Sequence, residues 1–158
     1  VAGGDDNALS ISVLDLDSTG SIHNVKIATV SIPDAHAASV TTVKLLEHLK
    51  SSPQSAGSTT TMLVASSGND HRVKIWSISV DLEKEGVDAI HVSQTIDRYS
   101  PVADISSMDV FRVPSDDSVS KEDSSALSPS TRESKMKLLV CGVGMEMLDI
   151  WTPGLGAP

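Results

Sequence analysis

The alternation of apolar and polar positions is clearest over Leu63–Trp76, which reads LVASSGNDHRVKIW. An apolar run, Leu63–Ala65, passes through Ser66, Ser67 and Gly68 into the polar turn Asn69-Asp70-His71. A second run follows, carrying Val73, Ile75 and Trp76. Two short apolar runs separated by turn residues predict strand, tight turn, strand. The rest of the chain can be placed around that hairpin. Upstream, Val1–Gly4 reads as the tail of a strand and Asp5-Asp6-Asn7 as a turn. Leu9, Ile11, Val13 and Leu14 mark a strand, Asp17–Ser21 a second turn, and Ile22–Ile32 a third strand that stops at Pro33. Three antiparallel strands are therefore expected over residues 1–32.

Pro33–His36 is a loop, and Ser39–Leu46 is the next strand. Leu45, Leu46 and Leu49 also fit helical spacing through Val43–Lys50, but the β-branched run Val40–Val43 favours a strand. Ser51–Thr61 has no apolar periodicity and is expected to be a long flexible hairpin loop. Beyond the central hairpin, Asp81–Asp88 is a charged connection with room for one helical turn, and Ala89–Ile96 is an outer strand. Arg98–Ala103 crosses to another unit, which opens with the strand Ile105–Val113. Residues 114–134 form a second insertion. Its Ser-rich, charged core has too little apolar surface to offset the entropy of ordering and is expected to be disordered. Ser128-Pro129 within it reads as plain linker before it reads as a phosphorylation site. Lys135–Gly144 and Met145–Trp151 make a last hairpin. Trp151 there holds the place of Trp76, an internal repeat of about 75 residues stretched by the two insertions. About ten strands result, grouped three, four and three, so the fold expected is all-β.

Composition narrows the partners. The formal net charge is −9, which argues against this segment gripping a phosphate backbone by itself. Aromatic residues make up 3% of the chain, too few for a stacking platform for single-stranded nucleic acid. The single cysteine, Cys141, sits in an apolar run and reads as a buried thiol in a reducing compartment. No leader pattern and no apolar run of membrane-spanning length is visible, so a cytoplasmic protein without a membrane partner is expected. The chain begins at Val1 inside a strand and ends Pro-Gly-Leu-Gly-Ala-Pro, and is expected to be a piece of a longer protein.

The central hairpin resembles the two middle strands of a WD-repeat propeller blade: a small-residue strand end, a turn Asp and a strand carrying Trp. His36, Ser66, Asp70 and Trp76 fit the hydrogen-bonded tetrad of such repeats. The logic is satisfaction of buried polar groups. The indole N–H needs an acceptor, Ser66 can supply one, and the His36 ring can link that hydroxyl to Asp70. Ser, His and Asp are also the members of a hydrolase triad. With blade-like spacing and no G-x-S-x-G elbow, the structural reading is preferred. The last hairpin keeps Trp151, but Gly142 stands near the Ser position and its turn, Gly144-Met145, has no Asp, so no tetrad is expected there. The fold expected is thus a WD-repeat β-propeller fragment of about two and a half four-stranded antiparallel blades. Residues 1–32 would form a partial blade, 33–100 a full blade and 101–152 a partial blade. Such an open arc leaves two apolar blade faces exposed, to be covered by the rest of the propeller or by another copy of the chain.

No catalytic, cofactor-binding or metal-ligating residue is predicted. His23, His48, His71 and His91 are scattered, lack zinc-site spacing and read as surface residues. Gly142-Val143-Gly144 is too short for a dinucleotide fingerprint. Asp5-Asp6 and Asp15/Asp17 read as turn and solvent-facing residues rather than a cation site, and Asp116-Asp117 and Glu122-Asp123 as solvated.

A closer resemblance rests on Ala35–Thr41 (AHAASVT), Val73–Trp76 (VKIW), Val102–Asp109 (VADISSMD) and Cys141–Glu146 (CGVGME) in that order. Together they look like the C-terminal part of the WD-repeat subunit of the tRNA wobble-position ribose 2′-O-methyltransferase. The resemblance covers most of the chain apart from the two polar insertions. It implies a non-catalytic subunit that positions tRNA so that the ribose of nucleotide 34 reaches a partner methyltransferase. The implied partners are that methyltransferase and tRNA, through the full-length protein, and no residue-level tRNA contact carries over. A general WD-repeat platform for protein or peptide recognition is the alternative.

Overall fold

The protein was analysed as a computed structural model that describes residues 1–15, 26–49, 59–114, 134–144 and 148–154. Its described residues form ten β-strands in three open antiparallel sheets. The first sheet is β1 (Ala2–Gly3), β2 (Leu9–Asp15) and β3 (Lys26–Ile32) in sequence order. The middle sheet runs β4 (Val40–Leu49), β5 (Thr59–Gly68), β6 (Arg72–Asp81) and β7 (Ile90–Tyr99). The last sheet is β8 (Ile105–Pro114), β9 (Ser134–Gly142) and β10 (Leu148–Trp151). A short 3-10 turn, Gly86–Ala89, lies in the charged connection before β7.

The middle sheet is buried on both faces. Leu63, Ala65, Val73 and Ile75 pack against Met108, Leu138 and Val140 of the last sheet. Their neighbours in register, Val64, Trp76, Ile78 and Val80, pack against Leu9 and Ile11 of the first sheet. Side chains alternate across a strand, so a nearly continuous apolar run serves two neighbours at once. The insertion after β4 is shorter than expected, because Thr59–Thr61 continue the β5 ladder opposite Asp81, Val80 and Ser79. The Thr61 and Ser79 hydroxyls also meet at 3.0 Å. Pro114 and Ser134 likewise close the β8–β9 ladder rather than belonging to the second insertion. Strand β4 extends to Leu49, with no helix through Val43–Leu49, and β7 extends to Tyr99. The turn expected at Asp17–Ser21, His23, residues 50–58, residues 115–133 with their acidic pairs and Ser128-Pro129, Met145–Met147 and the last four residues lie outside the described residues.

The two outer faces differ. The first sheet turns Ser10, Ser12, Thr29 and Ser31 outward, with Ser12 and Thr29 hydroxyls 3.0 Å apart. The last sheet turns out Phe111, Leu148 and Ile150, all exposed, together with half-exposed Cys141. Only the second matches the expected apolar blade face. Cys141 is not buried, because strand parity sends Val140 inward instead.

The stacking makes a direct prediction. Ile75 is fully buried between the middle and last sheets. Ile75→Ala is expected to cost about 2–5 kcal/mol, against less than about 0.5 for exposed Leu45→Ala, as read by urea denaturation.

Candidate functional site

The structure brings together the four side chains singled out in the sequence. His36 comes from the loop after β3, Ser66 from the end of β5, Asp70 from the β5–β6 turn and Trp76 from β6. The Trp76 indole N–H donates to Ser66 Oγ at 2.8 Å. Ser66 Oγ lies 2.8 Å from His36 Nε2, and His36 Nδ1 lies 3.0 and 3.1 Å from the two Asp70 carboxylate oxygens. One assignment satisfies every member: the ring proton sits on Nδ1 and is donated to Asp70, while Nε2 accepts the Ser66 hydroxyl proton.

Local backbone geometry builds this chain. The turn between β5 and β6 carries His71 at φ 60°, and Asp70 Oδ1 accepts the N–H of Arg72 at 3.0 Å. Asp70 Oδ2 accepts the N–H of Ala37 at 2.9 Å, which holds the incoming loop against the turn. Gly68 completes the fit. A Cβ there would lie 2.8 Å from the Ser39 carbonyl oxygen and 3.0 Å from His36 Nδ1, inside the hydrogen-bonded cradle. Burial pushes the Asp70 carboxyl up, but the hydrogen bonds from His36 and from the Ala37 and Arg72 amides outweigh it. The result is a carboxyl below its ordinary 3.8.

The connectivity is that of a Ser–His–Asp triad, but its surroundings differ. Ser66 is 0% and His36 1% exposed, and the Ser66 oxygen is already taken by the indole of Trp76. In the folded chain that oxygen has no open face toward solvent from which an acyl carbon could approach. Among the described residues, no group of three or more His, Cys, Asp or Glu side chains converges to hold a metal. No helix of the described residues is long and apolar enough to cross a membrane. His48 and His91 are exposed, whereas His71 is half-buried, stacked on Tyr99 with ring centroids 5.9 Å apart.

A second polar network was not foreseen. The amide of His36 donates to the carbonyl of Asn7 in the first sheet's turn, and that of Ser100 donates to the carbonyl of His71 in the middle sheet's turn. Ser100 therefore stands where His36 stands one unit earlier. Its hydroxyl donates to Asp149 Oδ2 at 2.9 Å, Arg98 donates to Asp149 Oδ1 at 3.3 Å, and the Arg98 guanidinium lies 4.7 Å above the Trp151 ring. The register opposite β10 puts Val140, not Gly142, at the place of Ser66, because Leu138 faces Trp151 as Val64 faces Trp76. Accordingly the buried Trp151 indole N–H meets no acceptor among the described residues. The sequence signal was Asp149 within the apolar stretch Leu148–Trp151, at the same parity as the buried Trp151.

No protein-family profile, curated protein or solved structure matches the chain.

Two predictions follow from the geometry of the hydrogen-bonded chain. Ser66→Ala strands both the indole N–H and His36 Nε2 and is expected to cost about 1–3 kcal/mol, while Trp76→Ala costs about 3–5, by thermal or urea unfolding. Because the folded-state carboxyl of Asp70 titrates below 3.8, its stabilisation is complete above that value and drains as pH falls through the folded one. Asp70→Asn should therefore be less stable at neutral pH yet lose less stability between about pH 5 and 3. Parallel acid unfolding curves for the two proteins would rule out Asp70 as the titrating group.

Proposed function

We propose that this chain is an arc of a WD-repeat β-propeller that acts as a non-catalytic scaffold. In this reading it supports ribose 2′-O-methylation of tRNA at the anticodon wobble position, where a partner methyltransferase does the chemistry. The observation that carries the propeller reading is the buried Trp76–Ser66–His36–Asp70 chain in a four-stranded sheet stacked between two others. The apolar outward face of the last sheet suits cover by the rest of a propeller or by another copy of the chain.

The link to tRNA rests on the resemblance of Ala35–Thr41 and Val102–Asp109 to the methyltransferase's WD-repeat subunit. Those two segments form the seams at which one sheet hands over to the next. A supporting rather than RNA-gripping role fits the electrostatics. Lys44, Arg72, Lys74, Lys84, Arg98 and Arg112 are each drawn into an ion pair with an Asp or Glu. These cations are offset locally, and the whole chain carries −9. The cytoplasm, where such tRNA work would take place, is the proposed location.

The test is affinity purification of the full-length protein from its own cells, with mass spectrometry of bound proteins and mapping of 2′-O-methyl groups on tRNA. A co-purifying methyltransferase, and loss of the mark at nucleotide 34 on depletion, are expected. Other protein partners with unchanged methylation would replace this reading with the general WD-repeat interaction platform.

A further inference from the structure

We draw no further inference here: the strongest candidate, the groove between the first and middle sheets floored by Val13, Ala28, Val80 and Ala89, is apolar and nothing in the structure shows what covers it.

Discussion

The buried indole N–H of Trp76 is the constraint on which the middle sheet depends. A donor held in an apolar interior costs free energy unless it finds an acceptor. Here the acceptor is Ser66, which in turn needs His36, which in turn needs Asp70. Those four residues belong to two strands, a turn and the loop arriving from the previous sheet. Satisfying one donor therefore fixes the hairpin register, the turn and the entry of the chain together. Gly68 belongs to the same constraint, since any side chain there would intrude on the Ser39 carbonyl and the His36 ring.

The same handover is built twice with different chemistry. Each turn carbonyl, that of Asn7 and that of His71, receives the amide of the residue that opens the next unit. Where that residue is His36, a hydrogen-bonded chain links Asp70 through the ring and Ser66 to a buried Trp. Where it is Ser100, the chain runs to a buried Asp149, which Arg98 offsets while covering Trp151. The second solution keeps the Trp but offers its N–H no acceptor among the described residues, because Val140 occupies that place. A repeat is thus preserved in backbone geometry while its side-chain network is rewritten.

The stack has a direction. The first sheet ends the stack with a face lined mostly by hydroxyls, Leu14 exposed beside them, and the last sheet ends it with Phe111, Leu148 and Ile150. Such a body combines buried seams between sheets, cations held in local pairs and one apolar outer side. Ser66 has the residue types of a triad around it, but it is fully buried and its oxygen accepts the Trp76 indole N–H.

Much was legible in the residues themselves. Short apolar runs of period two, β-branched segments and Asn/Asp/Gly turns determine the ten strands, their grouping and the central hairpin. The identity of the Trp76 network was also readable, because a Trp, a small hydroxyl residue and a turn Asp at blade spacing have few other uses. What only the tertiary structure decided is which side of each strand meets a neighbour. Leu148 and Ile150 are as apolar as any core residue, yet they face out, while Asp149 faces in. Parity within a short strand is set by its ladder partners, and a one-residue slip or a bulge sends the following side chains to the other face. The pairing of Ser100 with Asp149, the half-exposure of Cys141 and the hydroxyl face of the first sheet all depend on contacts between distant segments. Local pattern specifies strands because their period is local, but burial depends on what another sheet brings to the same face.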